Sequence, residues 1–294
     1  MKRILVTGSA GLIGGQLVRE CQERWPDAYV HGNDLINGTD CRQFFRHNMG
    51  DSWDLAIHCA AITGGIEGTV NNSAFQSATN SQLDGAYFEW ALKVRPTRIV
   101  YISSSCAYPI GDPDAIHDSV ESDIDFNAIG THPDAPYGWA KLNGEVMANA
   151  ARGAGLSVTT VRPFAIVGPK QEDCRIIPAL IKRALSDDGS LTVWGPGTQA
   201  SDFVAVSDCA NAILELVTQE VNGPVNIATG RGATADEVAE IVMNAVGVKK
   251  PIAHDMSKPS GPRWRVGDPT YLNEFYKPVE SLESVVASMV AAHQ

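Results

Sequence analysis

The sequence predicts an α/β fold in which a doubly wound parallel sheet is joined to a smaller mixed α/β region on its C-terminal side. Two observations predict it. Short uncharged strand segments alternate with helical segments through the first half of the chain, and this rhythm changes after Pro169. Parallel strands need crossover helices and are buried on both faces. At 294 residues the chain is long enough for two joined regions, which we predict as residues 1–168 and 169–294 with strands that can interleave.

The first region contains five predicted strands, each ending at glycine, small or turn-forming residues. They cover residues 3–7, 28–31, 55–59, 98–102 and 157–161, and the helical segments between them include 12–24, 81–94 and 137–152. The second region has predicted helices at 176–185, 207–219 and 234–246 and predicted strands at 191–194 and 225–227. Residues 111–136 are rich in Asp and Pro and are expected to form a loop or lid.

Composition excludes several classes of protein. The net charge is −11, from 23 basic and 34 acidic residues, so we expect no nucleic-acid partner. The six cysteines stand singly, which predicts reduced thiols, a cytoplasmic protein and no disulfide framework. No apolar run approaches the roughly 18 residues of a membrane span, so no membrane partner is expected. His117 and His132 lack a second ligand at metal spacing, which predicts no metal, and His58 is expected to pack in the core.

Gly8, Gly11 and Gly14 form a G-x-x-G-x-x-G turn between the first strand and the first helix. Glycine lets the backbone turn tightly, lets a pyrophosphate approach N–H groups and lets helix and strand pack closely. The pattern predicts dinucleotide binding on a Rossmann-type sheet; a purely structural turn is the alternative. Asp34 is placed to accept hydrogen bonds from ribose hydroxyls and to repel a 2′-phosphate, which favours NAD over NADP. An ordinary Asx turn with Asn33 is the alternative for that residue.

Tyr137 and Lys141 form Y-x-x-x-K at the start of a predicted helix, a spacing that places both side chains on one face. A phenol with a reference pKa near 10 must fall by about 3 units to act as a base at neutral pH, and an adjacent ammonium provides the necessary field. The serine run 103–105, at the end of the preceding strand, offers a hydroxyl to orient the same substrate oxygen. The three features together predict acid/base catalysis.

These motifs resemble those of the extended short-chain dehydrogenase/reductases, in the NAD-dependent nucleotide-sugar epimerase/dehydratase group. The resemblance covers nearly the whole chain, and within the group it is strongest to GDP-fucose synthases and GDP-mannose 3,5-epimerases. Its segments are the glycine turn, HCAA at 58–61, Asn80, SSSCAYP at 103–109, YGWAK at 137–141, RPF at 162–164 and VWGPG at 193–197. It implies an enzyme in which the tyrosinate removes a hydroxyl proton from a nucleotide sugar while the nicotinamide takes hydride, giving a transient keto-sugar.

The resemblance also assigns individual residues. It implies that Ser104 is the catalytic hydroxyl and that Cys106 exchanges protons beside the ketone, with a buried small hydrophobe as the alternative for Cys106. The implied cofactor contacts, besides Tyr137 and Lys141, are Gly8, Gly11, Leu12, Ile13, Gly14, Asp34, Asp40, Cys41, Ala60, Ala61, Ile62, Asn80 and Pro163. The implied substrate contacts are Ser105, Cys106, Phe164, Lys170, Arg175, Trp194, Arg263 and Arg265.

Several positions depart from the family pattern. Relatives carry His or Lys where this chain has Arg175, a poor acid, which weakens a double-epimerase assignment. Ser105 and Cys106 stand where dehydratases carry an acidic pair, which disfavours 4,6-dehydration. The family's Asn and Arg are replaced by Ala165 and Ser201, so two substrate or diphosphate contacts are missing. The basic residues among the implied substrate contacts are the expected replacements, with solvated surface charge as the alternative.

The sequence therefore favours an NAD-dependent epimerase that needs no added hydride donor. The alternatives are a keto-sugar epimerase/reductase that uses NADPH and a reductase whose substrate lacks a nucleotide diphosphate. A dinucleotide-sensing regulator is disfavoured because the Ser/Tyr/Lys set is intact. The helices at 81–94 and 137–152 resemble the pair that forms a four-helix bundle in family dimers, so a homodimer is expected. The small and aromatic residues on these helices, Ala86, Trp90, Ala140 and Ala148, suit a core equally well.

Overall fold

Strands and helices alternate from the start of the chain. The structure is a computed structural model and describes residues 1–65, 71–109, 116–126 and 135–293. The helices are α1 (Leu12–Arg24), α2 (Cys41–His47), α3 (Ser73–Val94), α4 (Ala135–Gly153), α5 (Ile176–Leu185), α6 (Val206–Thr218), α7 (Ala235–Val246) and α8 (Leu282–Ala291). The strands are β1 (Arg3–Thr7), β2 (Tyr29–Asn33), β3 (Leu55–His58), β4 (Arg98–Ile102), β5 (Val158–Pro163), β6 (Ala165–Val167), β7 (Leu191–Trp194), β8 (Ala200–Ala205), β9 (Gly223–Ile227), β10 (Gly232–Thr234), β11 (Ile252–Asp255) and β12 (Trp264–Arg265).

A parallel sheet of six strands forms the centre of the described protein, in the order β2-β1-β3-β4-β5-β9. Strand β1 lies between β2 and β3, with Thr7 beside both Asn33 and His58. The chain leaves β1 on one side and returns on the other, so the strand order reverses between β1 and β3. Open α/β sheets bind their ligands at such a reversal, outside the carboxyl ends of the strands.

Helices cover both faces of this sheet, as its uncharged strands predict. In β1, Ile4 and Val6 belong to a core shared with α1 and α6, whereas Leu5 belongs to a core shared with α2, α3 and α4. All three side chains are fully buried. Consecutive side chains of a strand point to opposite faces, so a strand between two apolar layers needs an apolar residue at every position.

The region after residue 168 shares the large sheet as well as forming sheets of its own. Strand β9 pairs with β5, and α6 packs on the same face as α1. The remaining strands form smaller sheets in which β8 pairs with β6, β10 and β12, and β7 pairs with β11. Helices α5, α7 and α8 contribute to a separate apolar core beside these strands. The sequence predicted α5 and β7 with the bounds that the structure shows.

Several elements extend beyond their predicted bounds, among them α3 and β5. Helix α3 begins at Ser73 instead of 81, and its added turns bury Gln76 and Asn80. Polar residues on a buried face interrupt the apolar spacing on which a helix prediction depends, so the prediction missed them. Strand β5 continues past 161 to Pro163 because β9 pairs with it as far as that residue.

The predicted loop at 111–136 lies partly outside the described residues, and His132 lies wholly outside them. In the described part, a short 3-10 turn spans Glu121–Asp123. Ser119 forms a bridge to Gly267, two residues after β12, and His117 pairs with Asp123 at 2.8 Å. This part of the predicted loop is therefore fastened to the C-terminal region.

No helix within the described ranges is long and apolar enough to cross a membrane. The same ranges contain no group of three His, Cys, Asp or Glu side chains that could hold a metal ion. All six cysteines fall in described segments, and each is free.

Candidate active site

The glycine turn after β1 is closed by backbone contacts that leave no room for side chains. Gly8 has φ +67°, and a Cβ there would lie 2.7 Å from the backbone nitrogen of Ala60. A Cβ on Gly14 would overlap the backbone oxygen of Gly8. Helix α1 starts at Leu12, its N-cap Gly11 makes no side-chain cap, and its first turn carries no acidic residue. Its N–H groups and the positive end of its dipole are thus available to a diphosphate, so the residues fit a dinucleotide.

Asp34 lies directly beside this turn. One carboxylate oxygen accepts a hydrogen bond from the backbone N–H of Ala10 and the other from that of Ile36, both at 2.9 Å. The Asx turn that Asp34 makes therefore involves Ile36 and not Asn33. The carboxylate remains partly exposed next to the glycine turn, where its negative charge disfavours the ribose 2′-phosphate of NADP.

Three other predicted cofactor contacts, Asn80, Asp40 and Cys41, have side chains that are engaged within the protein. Asn80 is buried and exchanges two hydrogen bonds with the backbone of Ile62, at 2.8 and 3.0 Å, which fixes the loop that holds Ala60 and Ala61. Asp40 caps α2, and its hydrogen bonds with Arg42 hold its pKa below the usual value. The Cys41 side chain is buried in the core, and burial raises its pKa to about 12. The Cys41 side chain therefore packs in the core, and the predicted cofactor contact of this residue stays a prediction.

The structure brings Ser104, Cys106 and Tyr137 together at the carboxyl end of β4. Ser104 caps a short 3-10 turn over Ser105–Ala107, with its hydroxyl accepting from the N–H of Cys106 at 3.1 Å. The same hydroxyl is hydrogen-bonded to the phenol of Tyr137, in the first turn of α4. The charge state of Cys106 affects that phenol, so the thiol lies close to it. This arrangement surrounds one point with a phenol, a hydroxyl and a thiol.

The pKa of Tyr137 is raised in the protein without its cofactor. Burial raises the pKa of the phenol well above its usual value, and Cys106 and Asp84 raise it further, while Arg175 and the hydrogen bond from Ser104 oppose the rise. Lys141 donates its ammonium to the backbone oxygen of Ile102 at 2.9 Å. Lys141 is not among the groups that change the phenol pKa here, so its predicted effect on that pKa beside a bound nicotinamide stays a prediction. A phenol with a raised pKa stays protonated at neutral pH and is a proton donor.

A buried polar network beneath the phenol was missed by the sequence analysis. His58 shares a hydrogen bond with Thr7 at 2.8 Å, and its other ring nitrogen lies 3.3 Å from the carboxylate of Asp84. Tyr101 donates to the second oxygen of Asp84 at 2.7 Å. Burial acts to raise the pKa of Asp84. The charge of Lys141 and the contact with His58 outweigh burial and hold that pKa below its usual value. An acidic residue between Leu83 and Tyr87 on the buried face of a helix was the signal available in the sequence.

A second buried network fastens α4 to β5. Arg162 and Glu145 form a bidentate ion pair with N–O distances of 2.9 and 2.7 Å, and both side chains are almost fully buried. Arg162 also donates to the hydroxyl of Tyr108 at 3.0 Å, and that hydroxyl donates to Asn226 at 2.6 Å. The pair lies one helical turn beyond Lys141, so it fixes the helix that carries the candidate catalytic side chains.

The predicted substrate contacts separate into different places. Arg265 donates to the sulfur of Cys106 at 3.3 Å, and the charge of Arg175 acts on Tyr137, so both guanidinium groups lie at the catalytic end. Lys170 and Arg263 are exposed. The Ser105 and Phe164 side chains are 7% and 6% exposed, and Phe164 packs in a small apolar cluster. These last two side chains are mostly packed inside the protein, and their contact with substrate stays a prediction.

Trp194 forms part of a separate cationic cluster at the end of β7. The guanidinium of Arg183 lies 5.3 Å from its ring centroid, and the ammonium of Lys258 lies 5.2 Å from it. The Trp194 side chain is partly exposed. The sequence analysis missed Arg183 and Lys258 because helix spacing and loop position gave no reason to join them to the tryptophan. Two cations beside one partly exposed ring are suited to an anionic ligand.

The sequence profile of the NAD dependent epimerase/dehydratase family matches residues 4–228. The chain belongs to that family. It is therefore an enzyme of the short-chain dehydrogenase/reductase type, with NAD as the cofactor that the glycine turn and Asp34 fit. The matched residues include the glycine turn, the Ser104 to Cys106 segment, Tyr137 and Lys141.

Individual relatives agree with this family. A GDP-L-fucose synthase of Sinorhizobium fredii is 27% identical, with 96% of this chain and 92% of the relative covered. The GDP-L-fucose synthase of Escherichia coli is 26% identical, with 98% and 95% covered. Among solved structures, UDP-glucose 4-epimerase of Thermotoga maritima with UDP-glucose superimposes with a TM-score of 0.84 at 23% identity, covering 99% of this chain and 98% of that one. At that identity the structural match establishes the fold.

Proposed function

We propose that the protein is an NAD-dependent nucleotide-sugar epimerase that works through a transient keto-sugar. The observation that carries the proposal is the hydrogen bond between Ser104 and Tyr137, with Lys141 buried one helical turn farther along α4. These side chains lie at the carboxyl edge of the sheet, where the glycine turn and Asp34 also lie. A hydroxyl and a phenol that share one hydrogen bond can both reach a single substrate oxygen.

The cofactor would be held by the glycine turn, Asp34 and the loop that Asn80 fixes. Bound there, NAD would supply reversible hydride transfer with a sugar carbon. Tyr137 moves the proton of the attached sugar hydroxyl, and its raised pKa makes it a donor toward a ketone oxygen at neutral pH. Ser104 orients that oxygen. Lys141, whose ammonium is anchored on Ile102, provides a fixed positive charge near this edge of the sheet.

The nucleotide end of the substrate would lie at Trp194. Arg183 and Lys258, which lie over the tryptophan ring, suit phosphate groups. This cluster supports a nucleotide-linked sugar over a substrate that lacks a diphosphate, even though Ala165 and Ser201 depart from the family pattern. The base and the sugar are open in this proposal.

The second candidate is a keto-sugar epimerase/reductase similar in reaction to GDP-L-fucose synthase. Two observations favour it: relatives with that name cover nearly the whole chain, and Cys106 lies beside Tyr137 with a basic partner. A thiol in that place can remove a proton from a carbon next to a ketone. Asp34 opposes NADPH, so we place this candidate second.

We also propose a homodimer in a reducing cytoplasm. Trp90, Ala140 and Ala148, which suited either a dimer face or a core, are buried within the chain. The proposed dimer would therefore use other side chains of α3 and α4. The large apolar side chains that these helices expose are Phe75, Leu92, Trp139 and Val146. Light scattering should give twice the chain mass, and a Val146→Asp variant should give one chain mass. The six free thiols support a reducing compartment.

The test offers UDP-, dTDP- and GDP-hexoses and their 4-keto-6-deoxy forms to the purified protein, with products identified by NMR. The epimerase should convert a sugar nucleotide without any added reductant. The second candidate should require NADH or NADPH and consume it in proportion to product. Tyr137→Phe should lower kcat by about 10²- to 10⁴-fold. Tyr271→Phe, at a surface ring, is the matched control, and full turnover by Tyr137→Phe would refute both candidates.

A further inference from the structure

A fully buried carboxylate on α3 lies close to the helix that carries the candidate catalytic side chains. Asp84 is 0% exposed, and its pKa is lowered, so it is charged at neutral pH. One of its oxygens accepts the hydrogen bond of Tyr101 at 2.7 Å, and the other lies 3.3 Å from Nε2 of His58. A charged group is rarely buried in this way unless it is paired with an opposite charge. Asp84 therefore needs a cation.

The imidazole of His58 is not that cation. Burial lowers its pKa, so the ring is neutral at pH 7. Thr7 Oγ1 shares the 2.8 Å hydrogen bond with Nδ1 of the ring and also accepts the backbone N–H of Ala60 at 3.3 Å. If Nδ1 carried the ring proton, the lone pair of Nε2 would face the carboxylate. We therefore assign the proton to Nε2, which makes His58 a neutral group with its N–H toward Asp84.

The ammonium of Lys141 has the place and the charge that Asp84 requires. Burial acts to raise the pKa of Asp84, and the charge of Lys141 is the largest influence that lowers it. Lys141 is itself buried, and its Nζ lies 5.1 Å from the ring centroid of Tyr101, the residue whose hydroxyl binds the carboxylate. Glu145, a buried acid one turn farther along α4, is already paired with Arg162. Lys141 and Asp84 are therefore charge partners on either side of Tyr101.

Tyr101 is inserted against α4 at a residue that has no side chain. A Cβ on Gly144 would overlap the hydroxyl of Tyr101, which also lies 3.3 Å from the backbone oxygen of Lys141. The next residue of β4 is Ile102, whose backbone oxygen accepts the ammonium at 2.9 Å. The ammonium is thus held between the end of β4 and a buried ring whose hydroxyl is fixed by Asp84.

We propose that Asp84 is a positioning residue that, through Tyr101, holds the ammonium of Lys141 at the catalytic edge of the sheet. The inference rests on the proposed function for the part that Lys141 takes in the acid/base step. Asp84 touches no reacting atom and neither gives nor takes a proton. Its charge offsets the cost of burying the ammonium, and its hydrogen bond fixes the ring beside which the ammonium lies. Without the carboxylate, the lysine side chain should leave this position.

The first test observes Lys141 by NMR of protein labelled with carbon-13 lysine, with no sugar present. The ε-methylene signal of Lys141 is identified by its absence from the spectrum of Lys141→Met. In the wild type, the ring current of Tyr101 should shift this signal upfield of the signals of exposed lysines. Asp84→Asn, which keeps an oxygen for the Tyr101 hydroxyl, should move it toward the exposed values. Asp84→Glu, which keeps the charge, should retain most of the upfield shift.

Asp27→Asn removes an exposed carboxylate and is the matched control, which should leave the Lys141 signal unchanged. An unchanged Lys141 signal in folded Asp84→Asn would overturn the proposal. So would an Asp84→Glu signal that lies at the exposed values while the protein remains folded.

The second test separates this role from a purely structural one. In turnover of a sugar nucleotide, Asp84→Asn should lower kcat by about tenfold with little change in KM, because Asp84 contacts no substrate. Adding Asp84→Asn to Lys141→Met should cause little further loss, since the ammonium that Asp84 positions is already absent. Losses of kcat that multiply in the double variant would show that Asp84 does not act through Lys141.

A third variant leaves every charged group in place and applies even if Asp84→Asn does not fold. Gly144→Ala puts a methyl group where the Tyr101 hydroxyl lies, so it should release that hydroxyl from Asp84 and lower kcat about as much as Asp84→Asn. Gly153→Ala, on the same helix, is its control because a Cβ there meets open space. Equal kcat in the two glycine variants would overturn the proposal.

The NMR test does not depend on turnover, so it can succeed where the proposed function fails. Conversely, a sugar nucleotide epimerised with a kcat that Asp84→Asn leaves unchanged would reject only this inference.

Discussion

The ammonium of Lys141 lies 2.9 Å from the backbone oxygen of Ile102, the last residue of β4. Lys141 is 2% exposed, so this contact joins α4 to the carboxyl end of the central strand inside the protein. Ser104 follows two residues later and is bonded to Tyr137 on the same helix. The lysine therefore fixes the helix and the strand end relative to each other at the point where the candidate acid/base groups meet.

We expect Lys141→Met to lower kcat by about 100-fold, since the fixed charge beside the acid/base groups is lost. The free energy of unfolding should fall by about 1–3 kcal/mol because the oxygen of Ile102 loses its partner. Steady-state kinetics and urea unfolding measure the two effects. Lys93→Met removes an exposed lysine and should change the free energy of unfolding by less than about 0.5 kcal/mol. Unchanged turnover in Lys141→Met would remove the lysine from the catalytic set.

Acid should destabilise the protein through His58. Burial lowers the pKa of this imidazole below 6.5, and the groups that face it are Thr7, Asp84, the stacked ring of Tyr87 and the charge of Lys141. Between the folded pKa and 6.5, the unfolded chain binds a proton that the folded chain does not. Stability is therefore complete above 6.5 and falls below it, by up to about 1.4 kcal/mol per pH unit.

Urea unfolding at several pH values between 7.5 and 5.5 measures this slope. His58→Gln keeps hydrogen-bonding groups but does not titrate, so its slope over that range should be smaller than that of the wild type. Asp84 acts in a different pH window, because its pKa is lowered in the folded protein. Its contribution to stability is complete at pH values above the ordinary aspartate pKa, and it is lost as the pH falls from there through the folded pKa. Parallel curves for the two proteins would show that His58 is not the group responsible.

The glycine turn should tolerate no side chain at Gly8. In Gly8→Ala the Cβ would lie 2.7 Å from the backbone of Cys59 and Ala60, at a residue with φ +67°. We expect at least a tenfold loss of NAD affinity by calorimetry and a fall of about 1–3 kcal/mol in stability. Gly85→Ala is the matched control because its Cβ meets open space on α3, where alanine should add about 0.5–1 kcal/mol. NAD binding by Gly8→Ala with wild-type affinity would argue against a role for the glycine turn in cofactor binding.

Breaking the buried pair between Glu145 and Arg162 should be costly. Glu145→Gln leaves the guanidinium without its counter-charge, and we expect a loss of about 3–5 kcal/mol in urea unfolding. The double variant Glu145→Leu/Arg162→Met removes both charges and should recover much of that loss. A double variant less stable than Glu145→Gln would show that the ion pair itself is not the source of the effect.

The local motifs were predictable because their geometry is set within a few residues. The glycine turn needs small residues at spacings of three, and Tyr137 and Lys141 share a helix face because they are four residues apart. The parallel sheet was likewise predictable from its uncharged strands. The start of α3 was not, because Gln76 and Asn80 are polar and buried, and only packing against the loop at Ile62 explains them.

The sequence by itself determined the sheet, the glycine turn and the phenol and lysine that share one face of α4, because strand periodicity, backbone freedom and helix spacing are local properties. Only the tertiary structure decided which charges surround those groups. Asp84 and His58, Glu145 and Arg162, and Arg265 and Cys106 are separated by 26, 17 and 159 positions and meet only after folding. Burial then raises the pKa of Tyr137, an effect that depends on desolvation by the whole fold and that no spacing of residues specifies.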